Sequence, residues 1–485
     1  MKKIFTLTML LCLALCANAQ TGLWADQTDL TEPATISGGD FDGWYNVTTA
    51  EELAWIMVDA NAATADYTKS FVLANDIDLG AHYWTPICVN SAKVTDKPRF
   101  NGSINGQGHK IQNLYIKASL MPNAYAVGFI NYTGSKTASV KNLTLEGGQI
   151  DIDAEISGNA GSLIGACNEM SIIENCHSNV AMNVSATTKN NYVGGLVGLV
   201  KFVNFANCSY SGTMTITSIT KGWGGVLATF NSTTKNRAAS MTGCHFDGII
   251  NNTAKAGTNG GGGLIALSAL TGDGDENTVT NCYSTGSVSS TKDASNVFIN
   301  KITSKTFTCT NDVTIPESGL ATICLPYNFT APSGVTVYKG TIGDGFVALT
   351  EVTGTMPANV GFVVAGEAGA KTFTYSADDA TEIIDNDLKG TATGLELDGT
   401  NQYVLKDGKF HKANAGHLPY HKAYITVESS AKESLDVTFG NPTGISEVSD
   451  FKIQDSGAIY NLNGVRVNSE YKGVVISNGK KYINK

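Results

Sequence analysis

Charge is scarce in this chain. Asp, Glu, Lys and Arg make up 16 % of its 485 residues, the formal net charge is −10, and arginine occurs only at Arg99, Arg237 and Arg466. Such a balance argues against nucleic acid and anionic membrane surfaces as partners. No two cysteines stand at Cys-x-x-Cys spacing, so the usual zinc signature is missing. Beyond the first residues there is no run of roughly 20 apolar residues of the kind a membrane helix needs. A nucleophile elbow, a phosphate loop and a paired acid motif are missing as well.

What the chain has instead is glycine, 52 of them, and a repeat. A glycine-hydrophobic unit recurs as Val127-Gly128-Phe129-Ile130, Gly161-Ser162-Leu163-Ile164-Gly165, Gly194-Gly195-Leu196-Val197-Gly198, Gly224-Gly225-Val226-Leu227-Ala228 and Gly262-Gly263-Leu264-Ile265-Ala266. A second unit recurs as Asn142-Leu143, Asn175-Cys176, Asn207-Cys208, Gly243-Cys244 and Asn281-Cys282, at intervals of 33, 32, 36 and 38 residues. Each period holds short β-branched runs broken by Gly, Asn, Ser and Thr, with no helix-length apolar stripe. A near-constant period of variable length predicts a solenoid whose insertions fall in one set of loops. The expected fold is all-β: a right-handed parallel β-helix with an N-terminal capping helix, followed by a β-sandwich and a short C-terminal β-hairpin module. Equivalent residues would stack at roughly 4.8 Å. That makes Cys176, Cys208, Cys244 and Cys282 an inward row of small apolar thiols, a reading preferred to disulfides.

The glycine units, with the spaced Asn-Cys units, resemble the GLUG-type repeat of secreted bacterial β-helix surface proteins. The stretch from Phe100 through Asn105-Gly106-Gln107-Gly108 to Leu114 looks like the first coil of such proteins. The resemblance spans about residues 40 to 300 and implies a surface-exposed or adhesive protein with no shared catalytic residues.

In chain order, residues 1–19 read as a secretory signal, with Lys2 and Lys3, an apolar run and Ala17-Asn18-Ala19 before Gln20. Residues 20–40 are a lead-in and 41–303 the β-helix. Thr48 or Thr49 with Glu51 and Glu52 forms a capping box for one helix, whose apolar face holds Leu53, Ile56, Met57 and Ala60. Residues 304–440 alternate in short strands separated by turn signals, such as Asp407-Gly408, and predict the sandwich; they loosely resemble an accessory domain of secreted Bacteroidales proteins. Residues 441–485 are a linker and two Asn-Gly hairpins that resemble the C-terminal sorting domain of the type IX secretion pathway of Bacteroidetes. Secreted, extracellular or outer-membrane placement is the expectation these resemblances carry.

Candidate chemistry is thin. Asp151 and Asp153 alternate on one strand face at the spacing used by sugar-cleaving carboxylate pairs, although any exposed strand produces that geometry. Asp273, Asp275 and Asn277 concentrate oxygen ligands, so calcium is a conceivable cofactor, against the plainer reading of an acidic loop. Asp76 with Asp78, and His411 with His417 and His421, invite the same comparison with a solvated surface. Tyr83, Trp84, Tyr192 and Trp223 are the aromatic candidates for a ligand face, since aromatic planes and side-chain amides suit sugars. The expected function is a cell-surface adhesin or glycan-binding protein without enzymatic activity, its partner a polysaccharide or a surface protein. A polysaccharide-cleaving β-helix enzyme is the alternative, and a passive structural component a third.

Overall fold

The computed structural model describes residues 20–440 apart from 90–97, 122–123, 157, 187–191, 219, 233–238, 255–259, 271–276, 291–298, 303–307 and 429–431, and beyond them the strands between 459 and 484. Residues 1–19, Asp273 and Asp275 lie outside the described residues.

The repeat stacks as a parallel β-solenoid. Side chains alternate between the two faces of a strand, so in-register stacking places the same apolar position of every turn in one inward column. Ile104, Val140, Ile173, Phe205, Met241, Val279 and Cys309 form one such column, all buried. Ile116, Ile150, Met182, Met214 and Ile250 form a second. Ile130, Ile164, Val197, Leu227 and Ile265 form a third. Three parallel faces thus close around one apolar interior.

The corner between them is made by the asparagine of the second unit. Asn142, Asn175, Asn207 and Asn281 have φ of 53°, 50°, 53° and 52°, and Gly243 takes the same corner at 62°. This left-handed conformation costs most L-residues about 1–2 kcal/mol and suits Asn or Gly. The asparagines also bind one another along the stack, Asn175 Nδ2 donating to Asn142 Oδ1 at 3.0 Å. Directly after the corner the four cysteines turn inward, buried and free. The backbone N–H of Cys208 donates to Cys244 Sγ at 3.4 Å and that of Cys244 to Cys282 Sγ at 3.3 Å. Burial pushes the Cys176 and Cys244 thiols well above their ordinary pKa.

The paired glycines answer to packing. Tyr210 and Phe246 stack inside the solenoid, ring centroids 6.3 Å apart and 9° from parallel. A Cβ on Gly225 would lie 1.9 Å from Gly263 O and 2.3 Å from Phe246 Cγ, and one on Gly195 would lie 2.0 Å from Gly225 O and 2.2 Å from Tyr210 Cδ1. Hydrogen there lets the aromatic rings lie flat on backbone.

The ends of the solenoid are treated differently. Near the N-terminus the helix Ala50–Ala62 starts from Thr49, whose hydroxyl accepts from the Glu52 N–H while the Glu52 carboxylate accepts from the Thr49 N–H, the expected capping box. Leu53, Ala54, Ile56, Met57 and Ala60 are buried in the same core as the first rungs. At the other end the strand Thr308–Ile315 pairs in parallel with Thr278–Thr280 of the solenoid and antiparallel with Gly369–Tyr375 of a C-terminal module. One strand therefore belongs to both bodies.

This module hydrogen-bonds nine strands in the order Leu320–Ile323, Phe362–Gly366, Val335–Ile342, Phe346–Val352, Ser434–Phe439, Lys409–Lys412, Gln402–Lys406, Lys422–Thr426 and Lys389–Thr391. Its own core gathers Leu320, Val347, Leu349, Val363, Tyr403, Phe410 and Ile425. The Asp407-Gly408 turn has φ of 49° and 77° and joins Lys406 to Lys409, a two-residue hairpin. Near the end of the chain Ile459–Asn461, Arg466–Val467, Gly473–Ser477 and Lys480–Asn484 pair antiparallel.

Candidate functional site

Of the four aromatic candidates, three are structural. Trp84 is fully buried, stacks on Phe129 at 5.3 Å and donates its indole N–H to Phe129 O at 3.1 Å. Trp223 is buried with its ring where a Cβ on Gly261 would stand, and Tyr192 is buried beneath Lys221 Nζ, 5.2 Å from its ring centroid. None of these rings offers a free face, which corrects the expectation of a ligand platform there. Tyr83 is half-buried against a backbone bridge to Leu23.

The carboxylate candidates are committed to neighbours. Asp151 Oδ1 accepts from Gln149 Nε2 at 2.7 Å and Asn183 Nδ2 at 3.0 Å, and Asp153 accepts from the Ser119 N–H and hydroxyl at 2.8 and 2.7 Å. They act as rung-to-rung ties. Asp78 is held by Asn113 and Gly80, and Asp76 by the Lys110 N–H and His109; the Lys110 bond chiefly lowers the Asp76 pKa. Asn277 overturns its reading as a cation ligand: it is fully buried, and its Oδ1 accepts from the Ala239 N–H at 2.8 Å. The three histidines are not brought together. His417 pairs with Glu396 at 2.7 Å, His411 pairs across strands with Val404 and Ser434, and His421 is buried. Among the described residues no group of three or more His, Cys, Asp or Glu could hold a metal ion.

A different place gathers unspent polar groups. Between the solenoid and the module lies a cleft of about 410 Å³ lined by Ser284, Pro326, Asn359, residues 390–395 and Tyr424. Ser284 comes from a late rung of the solenoid, in register with Phe246. Asn359 comes from a turn in the left-handed conformation, φ 61°, and its N–H donates to Leu325 O at 2.8 Å, leaving the side chain exposed. Tyr424 stands on the strand Lys422–Thr426, opposite Lys389 and Val404. The side-chain groups of Ser284, Asn359, Thr391, Thr393 and Tyr424 make no hydrogen bond among the described residues. Among the described residues no carboxylate, ammonium, guanidinium or imidazole lines the cleft.

Aromatic stacking clamps this junction. His245 lies on Tyr283 at 4.7 Å and 5°, and Tyr283 lies on Tyr420 of the module at 3.8 Å and 14°. Burial between these groups lowers the His245 pKa. One rung before His245, Ser209 Oγ lies 2.7 Å from Nδ1 of His177, which stands a further rung back. Tyr327 adds a bond of 2.7 Å from its hydroxyl to Asn311 Oδ1 on the shared strand. Next to Tyr420, His421 has φ 61°, accepts at its carbonyl from the Cys324 N–H at 3.2 Å, and its Nε2 has no partner. Burial holds its pKa down to about 4, with the positive charge of Lys422 acting in the same direction.

Compared with known proteins, the chain matches no family model, no curated protein and no solved structure. The fold defines its class, a β-solenoid joined to a β-rich module.

Proposed function

We propose that the chain is an exported surface protein that binds neutral glycans through the junction cleft and does not cleave them. The observation that carries this is the chemistry of the cleft: hydroxyl and amide groups with free hydrogen-bonding capacity, one tyrosine, and, among the described residues, no carboxylate, imidazole or cation on its walls. A neutral, hydroxyl-rich ligand matches such walls, and orientation by a few placed polar groups is how small-molecule clefts select. Cleavage of a glycosidic bond needs a general acid and a second carboxylate, and the lining supplies neither. The exported setting rests on the resemblance of residues 1–19 to a secretory signal, of the repeats to GLUG-type surface proteins, and of the C-terminal strands to a sorting domain.

The test is retention and product release measured together on the full chain against uncharged oligosaccharides. Retention without release is expected, and Tyr424→Ala should weaken it at least tenfold, about 1.4 kcal/mol, with thermal unfolding unchanged. Oligosaccharide release by the parent protein would sink the non-enzymatic reading, and unaltered retention by Tyr424→Ala would remove this cleft as the site.

A further inference from the structure

We propose that the module carries a second, chemically distinct ligand cleft, which takes an aliphatic carboxylate. This cleft, about 390 Å³, lies among Pro316, Leu320, Leu405, Leu418, Lys406 and Lys422, and among the described residues no acidic side chain lines it. Its volume falls within the range of ordinary ligand clefts.

Two features define what it would hold. The first is apolar wall from three separate segments, at residues 314–322, 404–406 and 418–423, which suits an alkyl body. The second is charge of one sign. Among the described residues Lys406 and Lys422 are the only ionisable lining groups, and neither has an ion-pair partner there. In a chain of net charge −10, two lysines left unpaired beside apolar wall stand out.

Lys422 is the more telling of the two. It is half-buried at the start of the strand Lys422–Thr426, and burial lowers its pKa. An ammonium withdrawn from water without a counter-charge is costly, and a carboxylate arriving beside it supplies the missing partner. Lys406, exposed at the end of its strand, would contribute attraction at the mouth. The apolar walls then hold the alkyl chain by the ordinary hydrophobic gain, roughly 0.8 kcal/mol per buried methylene. This ligand differs from the neutral one assigned to the junction cleft, so either site can stand without the other.

The experiment is calorimetric titration of the full chain with octanoate, octanol and octylammonium. Octanoate should bind saturably, octanol at least tenfold more weakly, and octylammonium not at all. Lys422→Met should lose at least tenfold in octanoate affinity while its melting temperature stays at or above that of the parent, because an uncompensated ammonium is removed. Lys422→Arg, which keeps the charge, should retain binding. No octanoate binding, equal affinity for octanoate and octanol, or full binding by a folded Lys422→Met variant would each overturn the proposal.

Discussion

Replacing Gly225 by alanine should destabilise the folded protein by at least about 3 kcal/mol, the upper part of the usual range for overpacking a filled core. The added carbon would sit 1.9 Å from Gly263 O and 2.3 Å from the Phe246 ring. Neither can retreat cheaply: one is backbone held in the next rung, and the other is stacked on Tyr210. The φ of Gly225 is not positive, so the cost comes from contact rather than from conformation. Gly108 provides the opposite case, with φ of 86° and nothing within 4 Å of a Cβ. Gly108→Ala should therefore cost only the left-handed penalty, about 1–2 kcal/mol. Chemical denaturation of both variants measures the difference, and equal losses would show that packing against Phe246 is not what the paired glycines serve.

The second large effect is expected in acid. In an unfolded chain His421 takes up a proton near pH 6.5, whereas the folded chain holds it off until about pH 4. Between these values the unfolded state binds more protons, so stability falls as pH falls through this window and levels off below it. The accumulated loss is about 3 kcal/mol. The groups around it do not rescue the charge: Tyr420 presents a ring at 5.0 Å, Cys324 donates to the backbone carbonyl only, and Lys422 is itself a cation. His421→Asn keeps a residue that tolerates φ near 60° and removes the proton site. Its stability measured at pH 7.5 and at pH 4 should differ by about 3 kcal/mol less than the parent's does. Asp76 and Asp312, whose pKa values are lowered by hydrogen bonds from the ordinary 3.8, give up their contributions only below that value, so the two regimes separate. An unchanged pH dependence in the variant would place the acid sensitivity elsewhere.

The solenoid can be read from the chain because its cause is local and repeated. Asn207 before Cys208 carries both the corner and the inward turn, and a second copy every few tens of residues turns a weak signal into a pattern. The capping box at Thr49 and Glu52 is legible for the same reason, since its partners are three residues apart. Trp84 and Trp223 are easily misread because a large ring in a glycine-rich repeat is equally compatible with a ligand face and with core filling. What decides is the backbone opposite, Gly261 for Trp223 and the Phe129 carbonyl for Trp84, and both lie dozens of residues away. The junction cleft is illegible in the sequence. Ser284, Asn359 and Tyr424 share no motif, and only the docking of the module onto the last rungs makes them neighbours.

The strand Thr308–Ile315 sets how the chain can be divided. The repeats stop near residue 303, yet five residues later the chain is still laying down a rung, with Cys309 continuing the column above Val279. A fragment ended at residue 303 would keep every glycine unit and lose that rung. It would bare the unpaired edge of Thr278–Thr280 and the end of the apolar interior, an open template for strand addition by other copies. The module is thus the solenoid's safeguard against self-association as well as one wall of its cleft.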